Sequence, residues 1–181
     1  EGMTSYPIIF DSNHDVLSFP PIINGSHTTV SHTTKDFFID VTGWDRRACE
    51  SSLTLIALQL QERGGIIESV DVTGYDGTVE HLPHPEPIAH QVTQRLLDGL
   101  LGRRLTDEEI SSAINRMGGE YLGRKPATEF TSLKGAKMSD VVEGDTILTI
   151  AMPRWRFDIL HPIDLVEEVA IGHGYESLGS D

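Results

Sequence analysis

The stretch Met152-Pro-Arg-Trp-Arg-Phe-Asp-Ile-Leu-His-Pro-Ile-Asp-Leu-Val-Glu-Glu-Val-Ala-Ile-Gly-His-Gly-Tyr175 carries four carboxylates, Asp158, Asp164, Glu167 and Glu168. Pro162 suits a first helical turn, whose N–H groups have no partner inside the helix. In a helix that starts there, Asp164, Glu167 and Glu168 stand at i, i+3 and i+4 and share one face. Ile163, Val166 and Ala170 are expected on the adjoining apolar stripe, with Gly172 or Gly174 at the helix end. Asp158 is expected upstream, at the end of a strand through Trp155 and Phe157, folded back over the acidic face. Several oxygen ligands on one surface suit a hard cation such as Mg2+. Acids near a helix start are also what a solvated face favoured by the macrodipole shows. Arg154 and Arg156 lie near enough in sequence to neutralise these acids in place of a metal.

Upstream of this stretch, residues 147–152 read as a strand. Thr106-Asp-Glu-Glu109 is a capping box, followed by a helix with Ile110, Ala113, Ile114 and Met117 inward and Gly118 beyond its end. Residues 89–101 read as a further helix with Val92, Leu96 and Leu100 aligned. The segment 128–144 has no clear period. Helices with a small sheet predict a winged-helix-like α+β domain over residues 89–181. Pro83, Pro85 and Pro87 interrupt any regular element, so 83–88 reads as a linker.

Residues 1–82 mix α and β. Strands are expected at 6–10 and 16–19, with turns through Asp11–Asp15 and at Asn24-Gly25. Residues 37–42 alternate as a strand does, with Phe37, Ile39 and Val41 on one side and Phe38, Asp40 and Thr42 on the other. Asp45 is placed to cap a helix running to Arg63, with Cys49, Leu53, Ile56 and Leu60 inward and Gly64 past its end. A strand over 66–72 and a turn at Tyr75-Asp-Gly77 complete this half. The opening Glu-Gly-Met-Thr-Ser-Tyr-Pro reads as the start of an excised piece.

Acidic residues outnumber Lys and Arg by 28 to 14, giving a formal charge of −14. Broad phosphate binding needs a basic face, so a free-standing winged-helix nucleic-acid-binding module, the alternative function for such a fold, is disfavoured. Few lysines amid an acid surplus are expected of a salt-adapted surface. No apolar run is long enough to cross a bilayer, so no membrane association is expected. Cys49, alone of its kind, excludes an internal disulfide and fits a reducing cytoplasm. His81-Leu-Pro-His84 is the nearest approach to a histidine ligand pair, but it lies in the Pro-rich stretch and is not read as a site.

Pro153-Arg-Trp-Arg-Phe-Asp-Ile159, Asp164-Leu-Val-Glu-Glu-Val-Ala170 and Gly174-Tyr175 together resemble the end of the fifth domain of phenylalanine–tRNA ligase β chains. That family's pattern runs Pro-x-Tyr-Arg-x-Asp-Ile, then Asp-Leu-x-Glu-Asp/Glu-Val-Ala, then Gly-Tyr, with Trp155 here in place of the Tyr. Val16-Leu-Ser-Phe-Pro-Pro-Ile-Ile-Asn24 and Thr34-Lys-Asp-Phe-Phe-Ile-Asp-Val-Thr-Gly-Trp-Asp45 resemble the three–four domain of archaeal and eukaryotic β chains, with Asp36 where the family usually has Asn. The two matches lie in the family's order and cover most of the chain.

The resemblance implies a ligase subunit that does not aminoacylate alone. ATP would be bound by an α subunit, in a heterotetramer of two α and two β chains that charges tRNA(Phe). It carries the family's Mg2+ ligands, shared between the two chains, onto Asp158, Asp164, Glu167 and Glu168, and implies little or no metal without the α chain. It also implies an editing site that hydrolyses tyrosine wrongly attached to tRNA(Phe), with Asp40 reading the tyrosine hydroxyl and Ser18 and Ile9 lining the pocket. No protein nucleophile is implied: the ester is attacked by a positioned water.

Overall fold

The computed structural model of the chain describes residues 5–19, 22–127 and 141–179, the side chains of 22–24 excepted. Most of the aperiodic segment 128–144 lies outside the described residues. The chain forms two compact units, residues 1–44 and 45–181. The units therefore divide upstream of the Pro-rich stretch, and residues 45–82, grouped by sequence with the first half, fold within the second unit.

The first unit is a three-stranded antiparallel sheet of β1 (Ile9–Phe10), β2 (Val16–Phe19) and β3 (Ile22–Asn24), in the order β1-β2-β3. The Asp11 carboxylate closes the β1–β2 loop by accepting from the backbone N–H groups of Asn13 at 2.9 Å and Asp15 at 2.8 Å. Residues 37–42 form no strand. Their alternation specifies an extended backbone, but a strand also needs a neighbour for its N–H and C=O groups. No neighbour pairs with them among the described residues, and Phe37 and Phe38 stand 53% and 69% exposed.

The second unit opens with α1 (Arg46–Glu62), capped by the Asp45 carboxylate, which accepts from the Ala48 N–H at 2.7 Å. Its buried face is Ser51, Thr54 and Ala57, not the expected stripe. Cys49, Leu53 and Leu60 are half-buried and Ile56 is exposed. On the buried face Ser51 donates to the carbonyl of Arg154 at 3.3 Å. The hairpin β4 (Val70–Thr73) and β5 (Val79–Leu82) follows, turning through Asp76-Gly77, with the expected strand over 66–72 forming only from Val70.

The core lies beyond the hairpin. β6 (Ile88–Thr93), α2 (Gln94–Leu101), α3 (Asp107–Arg116), β7 (Glu120–Pro126), β8 (Thr146–Met152) and α4 (Pro162–His173) follow in turn. The sheet is antiparallel in the order β6-β8-β7, and the whole is α+β, as the sequence implies. The predicted helix over 89–101 begins only at Gln94. Residues 88–93 pair in full register with β8, from Ile88 opposite Met152 to Thr93 opposite Ile147, and the Thr93 hydroxyl then caps α2 through the Leu96 N–H. Helical spacing of Val92 and Leu96 had hidden a ladder that only β8 reveals.

The capping box forms as read: Thr106 Oγ1 accepts from the Glu109 N–H at 3.2 Å, and Glu109 accepts from the Thr106 N–H at 2.8 Å. Val92, Leu97, Ile110, Ile114, Leu148, Ile150, Leu165 and Val169 bury fully between helices and sheet. A Cβ on Gly172 would stand 2.1 Å from the Ala113 carbonyl oxygen, so α3 and α4 meet at backbone distance there. Gly174, at φ +100°, ends α4.

Candidate carboxylate–arginine site

Two local departures from the sequence reading shape the acidic stretch. Residues 153–160 form successive turns rather than a strand, with the Arg156 N–H donating to the Pro153 carbonyl at 2.9 Å. In α4 the buried stripe is Leu165, Val166, Val169 and Ala170, while Ile163 is 53% exposed. That stripe rotates the acids: Glu168 turns inward and is 5% exposed, Asp164 is half-buried and Glu167 faces solvent. Residues at i, i+3 and i+4 share a side, but the buried arc runs through Glu168 and splits it from Glu167.

A buried carboxylate needs an opposite charge or several hydrogen bonds. Arg156 supplies both to Glu168. Its Nη1 donates to Glu168 Oε2 at 2.8 Å and its Nη2 to Oε1 at 2.6 Å. The other edge of the same guanidinium holds Asp158, from Nε to Oδ1 at 2.9 Å and from Nη2 to Oδ2 at 2.7 Å. One planar cation thus engages all four oxygens of two carboxylates, a geometry open to Arg and closed to Lys. Hydrogen bonding by Arg156 holds the Asp158 carboxyl below its ordinary range, and the two acids, Glu168 first, raise the Arg156 pKa.

Asp164 is committed differently. Its Oδ2 accepts from the N–H groups of Leu160 and His161, both at 2.7 Å, which closes the first turn of α4. The four acids read as metal ligands are therefore not one cluster. Among the described residues, the side-chain sets whose ligand atoms lie within 4.8 Å of one another are Asp11, Asp15 and His27, and Glu50, Glu80 and His84, and neither includes any of the four. The donor chemistry of Asp158, Asp164, Glu167 and Glu168 suits Mg2+, but as placed they do not fit it: Arg156 takes two and the helix start a third.

The turns that carry Asp158 are gripped from α1. The Arg47 guanidinium donates to the carbonyls of Phe157 and, at 3.1 Å, Ile159, and Glu50 pairs with Arg154 at 3.5 Å. The reading from sequence gave α1 no part in this site. The only signal was a pair of arginines one residue past a cap, which is too common to be specific. Nearer the sheet, Asp107 accepts from Arg124 Nε and from the Tyr121 hydroxyl, both at 2.8 Å, tying β7 to the first turn of α3.

In the first unit, Ile9 and Ser18 are register partners across β1 and β2, so the structure brings these two predicted editing residues side by side, both half-buried. Asp40 is exposed on the irregular segment that was expected to be a strand.

The tRNA synthetase B5 domain family matches residues 91–175, which run from β6 through α4. Over the whole chain, the phenylalanine–tRNA ligase beta subunit of Methanococcoides burtonii is 40% identical, covering 100% of this chain and 30% of its own length. The corresponding subunit of Archaeoglobus fulgidus is 38% identical over 98% of this chain and 28% of its own. The crystal structure of an N-terminal fragment of the phenylalanyl-tRNA synthetase beta subunit from Pyrococcus horikoshii superposes with a TM-score of 0.71 at 33% identity, covering 94% of this chain and 43% of that one. The chain thus spans about 30% of the length of the curated relatives it matches.

Proposed function

The chain belongs to the family of phenylalanine–tRNA ligase β subunits, and from that membership we propose that it forms part of an enzyme attaching phenylalanine to its tRNA with ATP. An overall identity of 40% across all 181 residues carries this reading. ATP binding and activation fall to a separate α subunit in a cytoplasmic heterotetramer of two α and two β chains. The second unit serves assembly, holding the α subunit and tRNA(Phe) in place. Asp158, Asp164, Glu167 and Glu168 would become this chain's share of a Mg2+ site completed by the α subunit only on rearrangement, since Arg156 holds two of them and the start of α4 a third.

The first unit contributes to hydrolytic editing of mischarged Tyr-tRNA(Phe). A pocket shaped for phenylalanine cannot strongly reject an analogue that only adds a hydroxyl, so a second site must read that hydroxyl. Asp40 supplies the acceptor, and Ser18 and Ile9 line the pocket. An acceptor that the bound substrate encloses and phenylalanine leaves unpaired costs about 1–3 kcal/mol, which provides the discrimination. The rival reading, a duplex-binding winged helix, is disfavoured by the formal charge of −14, because binding along phosphates needs a basic face.

The test is co-expression of the α subunit with the full-length β chain, intact or lacking 91–175. The intact pair is expected to co-purify and charge tRNA(Phe), and the shortened pair to do neither. Normal charging without 91–175 would remove the assembly role.

A further inference from the structure

Glu168 sits on the buried side of α4 with its side chain 7% exposed, whereas the Asp158 side chain is 55% exposed. Arg156 joins the two, and its own side chain is 22% exposed. Every oxygen of both carboxylates already faces an N–H of that guanidinium at 2.6 to 2.9 Å. A divalent cation bound by these oxygens would occupy the space in front of them, which the guanidinium fills. It would also meet a positive charge at contact distance, screened by water at Asp158 but poorly at the buried Glu168. Steric and electrostatic arguments agree that the two cations exclude each other.

We propose that Arg156 is the resident counter-cation of the Asp158–Glu168 pair and must swing out before any divalent cation binds there, so that these carboxylates hold guanidinium or metal but never both. The proposal rests on the reading that the acids bind a cation in the assembled enzyme and adds what that binding displaces. Without its partner subunit, the chain is held closed by Arg156. Assembly favours the metal form by supplying further ligands, or an acceptor for the released guanidinium.

The probe is Mn2+, followed by loss of the free-ion electron paramagnetic resonance signal on this chain alone. The native chain is expected to bind weakly. Arg156→Gln, which keeps some hydrogen bonding without the charge, is expected to bind roughly tenfold or more tightly, since a like charge at contact distance is removed. Adding Glu168→Gln should abolish the gain. Equal binding by native chain and Arg156→Gln, whether tight or absent, overturns the competition. If Arg156→Gln unfolds because Glu168 is left unpaired, refolding by Mn2+, followed by circular dichroism, supports the proposal. If Mn2+ does not refold it, Arg156→Lys decides: stronger binding than native supports the proposal, because Lys cannot span both acids, and unchanged binding overturns it. The α-containing enzyme is titrated in parallel. Metal in the native complex with no gain in the free variant sinks the competition and leaves the shared site standing, whereas no metal in the complex sinks the shared site itself.

Discussion

Arg47 donates to the carbonyl oxygen of Ile159 at 3.1 Å, so a residue in the first turn of α1 holds the chain immediately before the acidic helix. Because the same guanidinium also reaches the Phe157 carbonyl, the turns bearing Asp158 are fixed from outside the B5 match. Arg47→Gln is expected to cost about 1.5–2 kcal/mol, the low end of the range for hydrogen bonds involving a charged group, because Arg47 is only half-buried. Thermal denaturation should register this as a fall of about 3–6 °C. An unchanged midpoint would show that the grip contributes nothing.

Gly172 offers a sharper test of packing. Its missing side chain is what lets α4 reach the Ala113 carbonyl of α3, and a methyl group there would overlap that oxygen at 2.1 Å. Gly172→Ala is expected to destabilise by about 2–3 kcal/mol, since the two helices must part. Gly99, also within a helix but exposed and with nothing near its absent Cβ, supplies the opposite sign. Gly99→Ala should stabilise by about 0.5–1 kcal/mol through the unfolded chain. Denaturant midpoints that move the same way for both variants would refute this account of the α3–α4 contact.

Local signals in the sequence survived wherever the deciding interaction was itself local. The Thr106–Glu109 capping box, Asp45 as a helix cap and Pro162 at the start of α4 each involve residues three or four apart, and each appears in the fold. Signals failed where a distant partner decided. β6 was hidden because its ladder lies with β8, more than fifty residues on, and the segment around Asp40 lacks the neighbour that would make a strand of it. The acids of the candidate site stood out in the sequence as one shared face, which the structure divides, and Arg156 was visible as a rival cation. Which acids it would take depended on the rotation of α4, set by Leu165 and Val169 against the core.

Acid should loosen the same ion pairs. The Arg124 hydrogen bond, then that of Tyr121, holds the Asp107 carboxyl below the usual range, and Arg156 does so for Asp158. A carboxyl whose folded pKa is depressed stabilises the fold above its unfolded value, and that contribution is lost as pH falls through the folded one. The loss therefore sets in below roughly pH 4. Urea midpoints should hold between pH 5 and 7 as far as these groups are concerned, then drop. In Arg124→Gln the drop below pH 4 should be smaller, because less of the Asp107 contribution remains to lose. An identical drop would exclude this pair as a source of acid sensitivity.

Salt acts on the whole surface rather than on one pair. A formal charge of −14 over 181 residues repels itself, and screening relieves that repulsion over about 10 Å at 0.1 M salt and about 3 Å at 1 M. The melting temperature is expected to rise between low and molar KCl. A constant value would count against a salt-adapted surface.

Asp40 tests the editing reading most directly. It is exposed on an irregular segment of this chain, so Asp40→Ala should leave the fold undisturbed and confine its effect to substrate. In the full two-subunit enzyme, phenylalanine charging should stay near native, because activation is assigned to the α subunit. Clearance of preformed Tyr-tRNA(Phe) should slow by about tenfold, the equivalent of losing one hydrogen bond to a charged acceptor. Asp40→Asn retains an oxygen acceptor without the charge and is expected to fall between the two. Single-turnover deacylation of labelled Tyr-tRNA(Phe) reads the rate for all three proteins. A native clearance rate in Asp40→Ala would remove Asp40 from the pocket and leave Ser18 and Ile9 without the group that distinguishes tyrosine from phenylalanine.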